Sequence, residues 1–351
     1  MKYDHDIILY FCGVHSSHVH KYLNLHKQFS ERYKCLMLLS NSKWGTKQEV
    51  LNKYRCEMYN MENVHCLPDQ DAINFLSKNK HRLGIFTSNY RKGHIGGNDI
   101  YASRSIGATT LQISEMPNDF YYFDSDYASL ISKRLDRFSQ ISDNIKLFSN
   151  CFLWDVVDPG ANLFLSRDDF YKKYELDDDK PFFVWTPSSI QCLHPRAQEI
   201  YDEVCKLPNV LVKLHPNEIR RHKAERVGFK WSYDLYSSVD VKLLDPLDTH
   251  YAFEYMDSLI TYQSAIGFEA AFYKKPCTYL EINSKENLYT NDKSLVFDFV
   301  GKDCTKEDLR EFILNRSYKA DYDYEKFLKK YLADDKKTSC ELLLEQVDII
   351  L

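Results

Sequence analysis

Short apolar runs recur along this chain at lengths that suit buried strands, and amphipathic stretches separate them. Ile7-Ile8-Leu9-Tyr10-Phe11 is the first such run, followed by Gly13-Val14-His15-Ser16-Ser17-His18 and a helical stretch over about 19–30. Cys35-Leu36-Met37-Leu38-Leu39, Leu83-Gly84-Ile85-Phe86-Thr87 and Ala108-Thr109-Thr110-Leu111-Gln112-Ile113 predict further strands, with Gly107 as a helix stop before the last. Apolar spacing predicts a helix over about 127–140, and Ile145-Lys146-Leu147-Phe148 is strand-like again. Strands alternating with helices predict a parallel, doubly wound α/β sheet, because parallel neighbours need a crossover and a helix supplies it.

The alternation breaks over about 154–180, where Asp158-Pro159-Gly160 marks a turn and Glu175-Leu176-Asp177-Asp178-Asp179-Lys180 is a solvated charge run. It resumes with Phe182-Phe183-Val184-Trp185-Thr186, a helix near 196–207 and a β-branched run, Val210-Leu211-Val212-Lys213-Leu214, that ends at His215-Pro216. Strands at Val241-Lys242-Leu243-Leu244, around Leu259 and at Cys277-Thr278-Tyr279-Leu280 are interleaved with helices near 250–255 and 268–273. The expected organisation is a first Rossmann-like domain over 1–155, a linker over 156–180, a second such domain over 181–305 and a charged helical tail over 306–351.

Composition narrows the classes. A chain of 351 residues that is 44% hydrophobic has apolar material for two cores. A formal charge of -5, with both signs interspersed, makes no case for a nucleic-acid partner. The ten cysteines include no CxxC pair, so zinc is not expected and reduced thiols are. His15, His18 and His20 have no carboxylate or cysteine spaced to complete a metal site. The polar start of the chain is unlike a signal peptide, and no run approaches the roughly 20 apolar residues of a membrane span. A cytoplasmic protein is the expectation.

Candidate chemistry clusters where strands end. Ligands of open parallel sheets sit beyond the carboxyl ends of the strands. A histidine there can donate to a phosphate oxygen, and Pro216 would stop further pairing; a solvated strand end is the plainer alternative for His215. Ser264, after the Leu259 strand, suits either a helix N-cap or a phosphate seat, and Glu269 either a ribose partner or a complement to the helix dipole. In the first half, His15 follows the first strand, and Ser88, Asn89 and Tyr90 follow another. Arg91-Lys92-Gly93-His94-Ile95-Gly96-Gly97-Asn98-Asp99 is a basic, glycine-rich loop lacking both GxGxxG and Walker spacing, so it suits acceptor recognition or plain surface equally.

Three segments carry a resemblance: Phe183-Val184-Trp185-Thr186-Pro187-Ser188, Lys213-Leu214-His215-Pro216-Asn217, and Ser264 through Glu269 with Lys275-Pro276. Together, within residues 145–285, they resemble the donor domain of GT-B glycosyltransferases. The likeness is to bacterial capsule polysaccharide (Kdo-transferase-like) enzymes and CDP-glycerol glycerophosphotransferase-like proteins. It implies two Rossmann-like domains facing across a cleft, with Thr186, Ser188, Lys213, His215, Pro216, Ser264 and Glu269 holding the nucleotide donor. The His-Gly pair that glycerophosphotransferase-like proteins carry in the first domain is absent; Leu111-Gln112-Ile113-Ser114-Glu115-Met116-Pro117 instead places Glu115 where the Kdo-transferase kind has a glutamate.

The implied activity is transfer of a sugar or polyol phosphate from a nucleotide-activated, CMP- or CDP-linked donor to a saccharide or glycan acceptor, as in capsule-like polysaccharide synthesis. His215 would steady the leaving phosphate, Glu115 or His15 would act as base, and Ser88, Asn89, His94 and Asp99 would contact the acceptor. No metal or other cofactor is implied. A UDP-sugar 2-epimerase, which needs no acceptor, and a non-catalytic nucleotide-binding member of the fold are the alternatives. Peripheral membrane contact and oligomeric state stay open.

Overall fold

The computed structural model describes residues 2–12, 19–41, 63–87, 98–113, 124–130, 145–149, 165–187, 197–214, 241–245, 248–261, 266–280, 297–300, 307, 310–311, 322–326 and 337–351. The chain forms two compact units, one made of Met1–Ala161 with Leu328–Leu351 and the other of Asn162–Phe327.

In the first unit the order is β1 (His5–Cys12), α1 (Val19–Ser30), β2 (Cys35–Asn41), β3 (Val64–Pro68), α2 (Asp69–Lys78), β4 (His81–Thr87), α3 (Asn98–Ser105), β5 (Thr109–Ile113), β6 (Tyr127–Leu130) and β7 (Lys146–Ser149). The strands pair in parallel in the order β3-β2-β1-β4-β5-β6-β7. Every residue from Ile7 to Phe11 is fully buried, as expected of a central parallel strand covered on both faces. Ile8, Tyr10, Leu36, Leu38 and Phe86 form one core face with Ala72 and Leu76 of α2 and Ile100 and Ala102 of α3. Helix α3 ends where the sequence places its stop, with Gly107 at φ +82°, a conformation that costs glycine little.

Two parts of this unit depart from the sequence expectation. Residues 127–130 are strand, not the start of a helix. Tyr127, Ala128 and Ser129 pair with Leu111, Gln112 and Ile113 on one side and with Lys146, Leu147 and Phe148 on the other. Pairing on both sides satisfies the backbone of so short a segment and overrides its helical apolar spacing; the remainder of that expected helix, 131–140, lies outside the described residues. Strand β3 and helix α2 were not anticipated, because the edge strand Val-His-Cys-Leu-Pro is only half-buried and lacks a dense apolar run.

The second unit contains α4 (Arg167–Lys173), β8 (Phe182–Thr186), α5 (Ala197–Val204), β9 (Asn209–Val212), β10 (Lys242–Leu243), α6 (Thr249–Tyr255), β11 (Ser258–Thr261), α7 (Ile266–Phe272), β12 (Cys277–Leu280) and β13 (Phe297–Val300). Its strands are parallel in the order β10-β9-β8-β11-β12-β13. Helix α4 lies within the stretch expected to be a linker. Ser166 caps it by accepting from the Asp169 N–H at 3.1 Å, and Phe170 packs its ring against Phe182 and Tyr255. Asp248 then receives the Tyr174 hydroxyl at 2.6 Å and the Lys173 ammonium at 2.5 Å. Strand β9 closes at Val212, three residues before His215.

The last helix, α8 (Ser339–Ile350), belongs to the first unit. A capping box opens it, with the Thr338 side chain accepting from the Glu341 N–H and Glu341 reaching back to the Thr338 N–H. It buries Cys340, Leu343, Leu344 and Val347, and Asp348 accepts from Arg32 at 2.9 Å and from the Tyr33 hydroxyl.

Candidate functional site

Strand order locates the candidate edge in each unit. In the second, numbering strands from its own start, the order is 3-2-1-4-5-6, and direction of build-out reverses between β8 and β11. Crossovers leave opposite sides of the sheet at such a reversal, so the loops beyond those two carboxyl ends diverge and leave a crevice for a ligand. Both strands end in threonine. Thr186 and Thr261 are register partners; Thr186 Oγ1 donates to Thr261 Oγ1 at 2.5 Å, and Thr261 Oγ1 lies 3.4 Å from the Thr186 carbonyl oxygen. Thr186 is 5% exposed and Thr261 fully buried, so the hydroxyls satisfy one another in an apolar sheet.

The chain leaves these strands toward Pro187-Ser188 and toward Tyr262-Gln263-Ser264, two of the segments singled out in the sequence. Lys213 follows the neighbouring β9. Its N–H continues the ladder to the Trp185 carbonyl at 2.8 Å, and its side chain is 8% exposed. Ser188, His215, Pro216 and Ser264 lie outside the described residues, as does the side chain of Glu269, whose backbone is in α7.

Helix α7 sits close on the sheet. A Cβ at Gly267 would fall on the Tyr279 hydroxyl and 2.8 Å from its Cζ, so glycine is what permits this approach. Lys275-Pro276 lies at the amino end of β12, the edge opposite Thr186 and Thr261. Pro276 offers its carbonyl to the Leu259 N–H at 2.9 Å and to the Ser258 hydroxyl at 3.2 Å. Burial lowers the Lys275 ammonium below its ordinary value, against the opposing fields of Glu254 and Asp257. That dipeptide has a structural task.

In the first unit the order is likewise 3-2-1-4-5-6-7, with the reversal between β1 and β4. His15 follows β1, Ser88 and Asn89 follow β4, and Glu115 follows β5; with His94 they lie outside the described residues. Asp99 is in the first turn of α3, 1% exposed, with Oδ1 accepting from the Ile100 N–H at 2.9 Å. Near the carboxyl end of the same sheet, Tyr10 Oη and Ser40 Oγ are 3.1 Å apart. On β5 a buried glutamine, Gln112, accepts from the N–H groups of Asp124 and Ser125 at 2.7 and 3.1 Å.

Thr261, Gly267, Tyr279 and Gln112 were not singled out from the sequence. For Thr261 a signal existed: it closes its strand with the same residue type as Thr186. Among the described residues no group of three or more His, Cys, Asp or Glu is placed to hold a metal ion, and no helix is long and apolar enough to cross a membrane. Cys35, Cys66, Cys205, Cys277 and Cys340 are free thiols.

No family model matches this chain, and no curated protein does. Solved structures match over almost its whole length. The Staphylococcus aureus MnaA–UDP co-structure superposes with a TM-score of 0.60 at 13% identity, covering 98% of this chain and 96% of its own. A Methanocaldococcus jannaschii UDP-GlcNAc 2-epimerase in complex with UDP-GlcNAc and UDP gives 0.59 at 13% identity, covering 98% and 99%. The wall teichoic acid polymerase TagF, as a histidine variant soaked with CDPG, gives 0.57 at 14% identity, covering 98% and 89%. The fold is GT-B-like. Two parallel sheets with alternating helices and these full-length superpositions establish that, as the sequence resemblance implied.

Proposed function

We propose that this GT-B-like chain is a nucleotide-dependent enzyme whose second unit binds a pyrimidine-nucleotide donor and whose reaction transfers the donor's sugar or polyol phosphate to a saccharide acceptor. The observation that carries the proposal is the reversal of strand order at Thr186 and Thr261, from which the Ser188 and Ser264 segments issue, with Lys213 on the neighbouring strand's exit. Proteins of the same fold hold UDP, UDP-GlcNAc or CDPG in their structures, which supports a pyrimidine nucleotide.

The proposed chemistry is positioning and charge stabilisation. Lys213, His215 and Ser264 neutralise the leaving phosphate, Glu269 holds ribose hydroxyls, and Glu115 or His15 takes the proton of the acceptor hydroxyl. Ser88, Asn89 and His94 contact the acceptor, whereas Asp99, 1% exposed and bonded to the Ile100 N–H, is a structural residue at the start of α3. Capsule-like polysaccharide is the proposed product class, and no metal is needed once these groups offset the phosphate charge. A 2-epimerase reaction on a UDP-sugar is the second reading, favoured by UDP-GlcNAc 2-epimerase structures that this chain covers to 97–99% of their length.

The test is a thermal-shift series with CMP, CDP, UDP and GDP, since a ligand that binds only the folded state raises stability by mass action. CDP or UDP is expected to stabilise the protein, with the gain lost in His215→Ala; equal response to GDP, or none to any of the four, would refute the pyrimidine-donor assignment. Conversion of UDP-GlcNAc without an added acceptor would establish the epimerase reading instead.

A further inference from the structure

We infer that Thr261 is a positioning residue for the nucleotide site proposed at this reversal, on which the inference rests: by engaging the Thr186 hydroxyl proton it leaves Thr186 as an acceptor for a ribose hydroxyl. Thr186, Thr261 and Tyr279 are register partners across β8, β11 and β12. Side chains at register positions share a face, so the three hydroxyls form a row at the carboxyl end of the sheet. Two residues earlier on that face the row is Val184, Leu259 and Cys277, and hydroxyls are confined to the end where the reversal opens. Helix α7 covers the row, with Gly267 set close on the Tyr279 hydroxyl. Valine at both 186 and 261 would fill the same space with no hydroxyl to satisfy, and such a double replacement is nearly neutral for stability. Packing therefore does not account for the threonines.

A threonine hydroxyl has one proton and two lone pairs. Thr186 directs its proton inward to Thr261 Oγ1 at 2.5 Å; the Ile260 carbonyl lies farther off, at 3.4 Å. Thr261 Oγ1 faces the Thr186 carbonyl at 3.4 Å, which closes the pair on the strands that carry it. Thr261 is fully buried, whereas Thr186 keeps 5% of its surface, so Thr186 is the member that meets the crevice. With its proton held inward it presents lone pairs only. It is then unsuited to a phosphate oxygen, which also only accepts, and suited to a group that donates. The bases of cytidine and uridine nucleotides carry different donors; the ribose hydroxyls are the donors they share. Without Thr261 Oγ1 the Thr186 proton is released to turn outward, and a ribose hydroxyl meeting it must find another acceptor for its own proton.

The test is titration calorimetry with CDP, UDP and the 2′-deoxy and 3′-deoxy forms of each. Wild type should prefer the ribonucleotides, and in Thr261→Val the preference over one of the two deoxy forms should fall by about three- to tenfold, the range one neutral hydrogen bond is worth. Thr186→Val should lower it equally, Thr261→Ser should restore it, and Thr261→Val added to Thr186→Val should move it no further. A packing defect would weaken ribo- and deoxynucleotides alike and leave their ratio unchanged. Should Thr261→Val fail to fold, the double valine variant, which orphans neither hydroxyl, carries the same contrast with wild type. Equal binding of ribo and deoxy forms by wild type, an unmoved ratio in the valine variants, or no recovery in Thr261→Ser would each overturn the inference while the nucleotide site stands. A wild type that binds none of these nucleotides would remove the proposed function and this role of Thr261 with it.

Discussion

Acidification should weaken the first unit as histidines lowered by burial take up protons, and two of them, His26 and His81, are buried deeply enough to contribute measurably. His26 is 3% exposed on α1, with Nε2 lying 3.4 Å from the Cys35 carbonyl and 3.2 Å from Ser30 Oγ. Its Nδ1 is buried without a partner, so a proton there would have no acceptor. His81 is fully buried; Nδ1 donates to the Asn79 carbonyl at 2.7 Å, which leaves Nε2 to accept from Ser103 at 3.0 Å. A second proton would turn that acceptor into a donor. Burial lowers both imidazoles below 6.5, more than the bonds to Cys35 and Asn79 raise them. With folded values below unfolded ones, the stabilisation is complete above about pH 6.5 and is lost as pH falls toward the folded values.

Each histidine contributes at most about 1.4 kcal/mol between about pH 7.5 and 5.5, so about 2.7 kcal/mol is the ceiling for the pair. Urea unfolding at the two pH values measures it. His26→Gln with His81→Gln, which keeps neutral donors and acceptors, should flatten the dependence by up to that amount. An identical pH slope in the double variant, or a wild type equally stable at both values, would refute the argument.

Further outcomes follow from the same sheets. Gly267→Ala should destabilise the second unit by about 1–3 kcal/mol through overpacking on Tyr279, and Tyr279→Phe should recover part of that in a double-mutant cycle. Thr186→Val and Thr261→Val should each cost about 1–3 kcal/mol by orphaning the partner hydroxyl, and the double variant less than their sum; additivity in urea unfolding would count against the paired hydroxyls. Burial raises the Asp126 carboxyl, but the bonds from Thr110 and Arg104 outweigh it and hold the group below 3.8. Asp126→Asn should therefore cost about 1 kcal/mol near neutrality, modest because the Arg104 pair is 40% exposed on each side, and the difference should vanish as pH falls through the lowered value.

What the sequence disclosed about this molecule divides by the range of the interactions involved. Strands β1, β2, β4, β8 and β12 were legible because a strand buried on both faces must be apolar almost throughout. Strand β6 was not, since its extended form comes from partners on β5 and β7 and from Gln112 and Thr110, residues distant along the chain. Helix α3 was obscured by the glycine-rich run before it, although Gly107 marked its end correctly.

The candidate site follows the same division. Thr186 was visible as the last residue of a strand, but its partner Thr261 is 75 residues away and is brought to it only by the crossover order. That order is the deciding fact. His15 with Ser88 and Asn89, and Ser188 with Ser264, follow apolar runs in the sequence, which does not itself say which strands adjoin. Each set proves to issue from the two strands flanking its sheet's reversal, β1 with β4 and β8 with β11. Glu115 and His215 instead follow β5 and β9, each one strand away from its sheet's reversal.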